Sequence, residues 1–170
     1  MLTPRQIEQL YDAHAAALFH YISSIVRCET QAKDLLQELF LKIQHQGLPT
    51  LESERAWLTR MAHHLCIDWM RHHGTRRQAE ERSAAEPRSL FQLQQDPDAA
   101  EFAQRVEKAL ADLPPEQRSV AHLKLWQGLT FEEIATVQAI PLNTAASRYR
   151  YALEKLRSLL RPLYDEIQPP

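Results

Sequence analysis

The sequence predicts an all-α protein: two small helical domains joined by a flexible acidic linker, the second containing a helix-turn-helix. Three observations predict it. Apolar residues recur at three- and four-residue spacing over long runs, the period of a helix with one buried face. Only three glycines interrupt 170 residues, too little turn punctuation for a sheet protein. Charge is segregated along a chain whose formal net charge is −2: Arg55 to Arg77 carries a net +4, Gln78 to Glu101 a net −4, and Ile140 to Arg161 a net +4.

The first helix opens at Thr3-Pro4-Arg5-Gln6. Thr3 is placed to cap, Pro4 suits the first turn, and Gln6 can reach back to complete a capping box. Ile7, Leu10, Tyr11, Leu18, Ile22 and Ile25 form its apolar stripe. A second helix is expected over roughly 30–45, with Leu35, Leu36, Leu39, Phe40 and Ile43 inward. Asp34, Gln37, Glu38, Leu41 and Lys42 lie largely elsewhere, on a solvated face or a face for a partner. After the break at 47–50, a third helix is expected over about 52–73, with Trp57, Leu58, Met61, Leu65 and Trp69 as its apolar positions. Its interleaved arginines and tryptophans suit a nucleic-acid surface, since arginine neutralises phosphate and an aromatic face can stack on an unpaired base. Core anchoring is the competing reading, favoured for Trp69.

Between residues 78 and 100 bulky apolar residues become sparse and Pro87 and Pro97 interrupt any helix, so this stretch reads as the linker between domains 1–77 and 101–170. The second domain starts with a helix through Phe102, Val106, Ala109, Leu110 and Leu113, ended by Pro114-Pro115, which also prime a helix running to Gln127. Gly128 is placed as a left-handed cap with Leu129 as the accompanying apolar contact. Thr130-Phe131-Glu132-Glu133 is a capping box for a short helix, Pro141 marks entry to the next, and Ala145, Tyr149, Ala152 and Leu156 alternate with basic residues there. A short helix, a turn and a basic helix form the layout that lays its second helix in a DNA groove.

Other classes are disfavoured. His63, His64, Cys66, His72 and His73 crowd one helix, but neighbours on a helix point about 100° apart and no second ligand group such as CxxC accompanies them, so no metal is expected. No glycine-rich phosphate loop or nucleophile constellation supports an enzyme or a cofactor. Two cysteines, no signal peptide and no apolar run near the ~20 residues needed to span a bilayer suggest a cytoplasmic protein with no membrane insertion.

Five stretches in order resemble the extracytoplasmic-function class of bacterial RNA polymerase sigma factors. They are residues 10–14 (Leu-Tyr-Asp-Ala-His), residues 34–42 around Gln37-Glu38, Arg55-Ala56-Trp57-Leu58 with Met61-Ala62 and Asp68, Leu113-Pro114-Pro115-Glu116-Gln117-Arg118, and residues 128–135 with 140–148. The resemblance implies that the chain binds core RNA polymerase and promoter DNA, with an anti-sigma factor as a further partner; an adaptor that binds an anti-sigma factor without DNA is the alternative. It implies that domain 1–77 reads and opens the −10 element, with Arg55, Trp57, Arg60, His64, Arg71, Arg76 and Arg77 at DNA. It implies −35 reading by domain 101–170 through Asn143, Thr144, Ser147, Arg148 and Arg150, and polymerase docking through Asp34, Gln37 and Glu38. Two departures stand out: His64 stands where the family often has Asn, and Ala146 where it often has a basic residue.

Overall fold

The computed structural model describes residues 1–50, 53–84 and 97–167, and all their regular secondary structure is helical. The first unit contains α1 (Pro4–Val26), α2 (Glu29–Gln46) and α3 (Glu54–Ala84); the second contains α4 (Pro97–Ala111), α5 (Pro115–Leu125), α6 (Phe131–Gln138) and α7 (Leu142–Ile167).

Local chemistry sets most of the helix ends. Thr3 caps α1 in the expected box: its hydroxyl accepts from the Gln6 N–H, and the Gln6 side chain accepts from the Thr3 N–H at 2.9 Å. Thr130 and Glu133 repeat the device at α6, where the Thr130 N–H donates to the Glu133 carboxylate at 2.8 Å. Gly128 adopts φ 63° after α5, and the Leu129 N–H returns to the Leu123 carbonyl at 3.1 Å while the Leu129 side chain is fully buried. The helix-turn-helix corner is made by Ala139 at φ 53°, a left-handed conformation costly for a residue with a Cβ. The Ile140 N–H then donates to the Ala135 carbonyl, closing the corner.

Helices reach into both ends of the stretch expected as the linker. α3 continues to Ala84, so residues 78–84 are helical, and α4 begins at Pro97. Gln78 to Arg82 are good helix formers with no proline, so high charge alone does not end the helix. Residues 85–96, where the rest of the linker was expected, lie outside the described residues.

Two apolar clusters organise the molecule. The smaller joins Leu110 and Leu113 to Ala121, Ala152 and Leu156, tying α4, α5 and α7 together. The larger runs unbroken from Leu18, Ile22, Leu39, Leu58 and Leu65 of the first unit to Val120, Leu123, Ile134, Val137 and Ala145 of the second. The two units are therefore packed on each other, with α1 against α5 and α3 against α6. α1 carries the mark of this double burial. Ala15, Leu18, Tyr21, Ile22, Ser24, Ile25 and Val26 are all buried, and they span about 200° of the helix, where one packed face needs little over ~100°.

Two stripe positions differ from expectation: Tyr11 is 51% exposed and Phe102 46% exposed. Tyr11 lies at the edge of its stripe, where its ring tilts against Phe40 at 5.0 Å without being covered. Trp69 is a core residue, with its indole N–H donating to the Gln31 side chain at 2.9 Å.

Candidate nucleic-acid interface

α3 is the first candidate surface. Its buried face carries Leu58, Ala62, Leu65, Cys66 and Trp69. At about 100° per residue, Trp57, Arg60, His64 and Arg71 fall within about 60° of one another on the opposite face. His64 and Arg71 are exposed, while Arg60 and Trp57 are half-buried, Trp57 against the large cluster. Arg71 lies 3.8 Å from Asp68, an exposed pair that leaves the guanidinium accessible to another anion. Arg55 is exposed but does not join this row; it falls about 140–180° from Arg60 and His64, at the start of the helix. Arg76 and Arg77 lie farther along α3.

His63, one residue before His64, points inward instead. Its Nδ1 lies 2.8 Å from the buried Tyr21 hydroxyl. Burial, followed by the charges of His64 and Arg148, lowers its pKa to about 4, so the ring that shares a hydrogen bond with the tyrosine is neutral. Burial also raises the Tyr21 pKa, and the side chains of Ser119 and Gln138 reach the same hydroxyl.

α7 is the second candidate surface. Ala145, Ala152 and Leu156 are buried, and Asn143, Ser147 and Arg150 occupy the opposite face within about 60°. Arg150 is exposed, with its guanidinium 5.3 Å over the Tyr151 ring. Arg157 and Arg161, exposed and in line with Asn143, prolong this row toward the C-terminus. Thr144 and Arg148 sit on the flank. Arg148 is half-buried and lines a cavity of about 80 Å³ with Ile25, His63, Met70, Glu116 and Gln138, so in this arrangement it faces the first unit.

α2 holds the third surface. Asp34, Gln37 and Glu38 are all exposed on the face opposite Leu36, Leu39 and Ile43, and Glu38 pairs with Lys42 at 2.8 Å. Leu41, half exposed, sits in the middle of this polar face. Sequence reading placed Leu41 off the core but gave it no role; an apolar residue ringed by charges was the available signal. The polar residues between the two units, Tyr21, His63, Arg118, Ser119, His122 and Gln127, were likewise given no role there, although His63 was weighed as a metal ligand and Arg118 belongs to a family-like stretch. A polar residue on an otherwise apolar helix face was their only local mark.

Two separate basic helical faces, one of them on a capped helix-turn-helix, are the layout of a DNA-binding protein. Residues 10–76 match the family Sigma-70 region 2, and residues 109–158 match Sigma-70, region 4. The chain is 33% identical to the ECF RNA polymerase sigma factor SigL of Mycobacterium tuberculosis, over 91% of this chain and 88% of that one. In structure it resembles RpoE of Bartonella quintana, solved in complex with the anti-sigma factor NepR (TM-score 0.71, 22% identity, 92% of this chain and 98% of that one). It also resembles CnrH, solved in complex with the cytosolic domain of CnrY (TM-score 0.68, 23% identity, 94% of this chain and 90% of that one). The chain belongs to the ECF class of RNA polymerase sigma factors, which direct promoter-specific initiation without catalytic activity of their own. None of its helices is long and apolar enough to cross a membrane, among the described residues.

Proposed function

We propose that the three surfaces divide the work of initiation. The exposed α2 face, with Leu41 at its centre and Asp34, Gln37 and Glu38 around it, docks on core RNA polymerase; an apolar centre with a charged rim is the anatomy of a strong contact. The α3 row of Trp57, Arg60, His64 and Arg71 meets the −10 element, with Arg76 and Arg77 on flanking phosphates. Arg55 acts outside that row, at the N-terminal end of α3. Opening DNA there requires unstacking, which capture of an extruded base offsets. α7 enters the groove of the −35 element through Asn143, Ser147 and Arg150, with Thr144 and Arg148 contributing once the flank is free.

The observation that carries the reading is the separation of two basic faces onto two units, each opposite its own buried face. The protein acts in the cytoplasm, where polymerase is. An anti-sigma factor is its regulatory partner, a class suggested by the complexes in which the two structural neighbours were solved. Footprinting of the chain with core polymerase on promoter fragments tests the division: protection should cover both elements and vanish without core. Protection of one element only would refute it.

A further inference from the structure

The cavity beside Arg148 lies where α1, α3, α5, α6 and α7 meet, and its volume is about 80 Å³. Ile25 of α1 with Ile67 and Met70 of α3 supply apolar lining. The polar side chains fall into two groups. His63, Ser119 and Gln138 spend hydrogen bonds inside the protein: His63 shares one with the Tyr21 hydroxyl at 2.8 Å, and the Gln138 amide donates to the Ser119 hydroxyl. Arg148 of α7 and Glu116 of α5 do not. Both line the cavity, yet neither side chain makes an ion pair or a hydrogen bond among the described residues, so the two charges face one space without meeting.

That lining sets the chemistry of an occupant. Arg148 is half-buried, and its charge reaches His63, whose ring is neutral. The guanidinium is therefore the fixed positive charge of the cavity, and a carboxylate would give it the charge-assisted bonds it lacks. Glu116, the exposed member of the lining, repels a second negative charge and attracts an ammonium. A phosphate or a dicarboxylate is disfavoured by Glu116, and a simple amine by Arg148; a zwitterion satisfies both. At ~10–15 Å³ per water-sized site, the cavity holds about five to eight non-hydrogen atoms. That is the size range from alanine to valine, and it excludes the aromatic amino acids. Ile25, Ile67 and Met70 suit an aliphatic tail.

We propose that this cavity is a binding site for a small aliphatic α-amino acid, with its carboxylate on Arg148, its ammonium on Glu116 and its side chain against Ile25, Ile67 and Met70. Binding to the folded chain alone stabilises it by mass action. A bound amino acid also occupies the Arg148 guanidinium, one of the candidate −35 contacts, which makes the site a small-molecule input to the same helix. The site goes beyond the promoter-reading role given above, and its test uses neither DNA nor polymerase.

Isothermal titration calorimetry of the full-length chain with L-valine tests it. The comparison ligands are isovalerate, which lacks the ammonium, isobutylamine, which lacks the carboxylate, and L-tryptophan, which is too large. L-valine should bind at a single site with a Kd on the order of 0.1 mM, within what so few atoms can supply. Isovalerate should bind about tenfold more weakly, the loss of one charge-assisted contact, and isobutylamine and L-tryptophan should give no measurable heat. Arg148→Gln should weaken L-valine by about tenfold or more, while Glu116→Gln should weaken L-valine and leave isovalerate unchanged. Both side chains lie outside the core, so far-UV circular dichroism should match the parent in each variant. The ligand series on the unsubstituted chain decides the matter even where a variant fails to fold. No saturable binding of L-valine would overturn the site, as would isovalerate or L-tryptophan binding as tightly as L-valine, or an L-valine affinity untouched by Arg148→Gln.

Discussion

Replacing Arg118 with Met tests how the second unit is held. Arg118 is 3% exposed. Its Nε donates to the Leu110 carbonyl at 3.0 Å, and its Nη2 donates to the carbonyls of Ala111 at 3.0 Å and Leu113 at 2.8 Å. These carbonyls lie at the C-terminal end of α4 and just beyond it, where intrahelical donors run out, so one side chain satisfies three of them, the Leu110 carbonyl jointly with the Leu113 N–H. Its fourth bond, to Ser24, crosses to the first unit. A hydrogen bond from a charged donor contributes about 1.5–3 kcal/mol, and each buried acceptor left unpaired costs about 1–3 kcal/mol. Partial hydration of the freed carbonyls and the non-additivity of shared bonds bring the expected loss to about 3–5 kcal/mol, since the apolar Met stem keeps most of the packing. Urea unfolding followed by far-UV circular dichroism, fitted with separate transitions for the two units where they resolve, measures it. The loss should fall mainly on the second unit. A change under about 1 kcal/mol would refute the assignment of Arg118 as the terminator of α4.

Three further outcomes follow from the same geometry. His63, buried beside Tyr21 and facing the charges of His64 and Arg148 with Glu116 across the cavity, has its pKa lowered from 6.5 to about 4. The unfolded chain therefore binds more protons between those values, so stability is full above about pH 6.5 and falls as pH drops toward 4, by about 2 kcal/mol at pH 5 from this group alone. His122, lowered to about 3 by burial and His20, adds in the same direction; a urea midpoint that does not move between pH 7.5 and 5 would contradict both. Arg150→Ala should weaken binding to a −35 duplex and reduce its log–log salt slope by about one. Arg148→Ala should weaken it less than Arg150→Ala, because Arg148 is half-buried facing the first unit, and an equal loss would contradict its burial. Glu38→Lys should lower affinity for core polymerase about tenfold or more while leaving thermal unfolding within about 2 °C, because its ion pair with Lys42 is exposed and contributes little; unchanged affinity would remove α2 as the docking face.

What the sequence made legible was what neighbouring residues decide. Thr3 with Gln6, Thr130 with Glu133 and Gly128 with Leu129 announce helix ends through contacts three to six residues apart, and the structure has each of them. The faces of α2 and α7 follow from helical period, while the roles given to Asp34, Gln37, Glu38, Asn143 and Arg150 on them came from the family resemblance. Arg55 was grouped with Arg60 by charge, and only the helical register separates them. The buried polar contacts were not legible because they join residues far apart in sequence: Tyr21 to His63 within the first unit, Ala17 to Gln127 and Ser24 to Arg118 between the units. In the sequence Tyr21 is one more stripe residue and Arg118 one more arginine after a helix break.

The measurement that tests the account most directly is run-off transcription with core RNA polymerase on fragmented genomic DNA, with and without this chain. A sigma factor predicts discrete transcripts that appear only when the chain is present, and that disappear when bases of the −10 or the −35 element are changed. Transcripts identical with and without the chain, or insensitive to both elements, would contradict it.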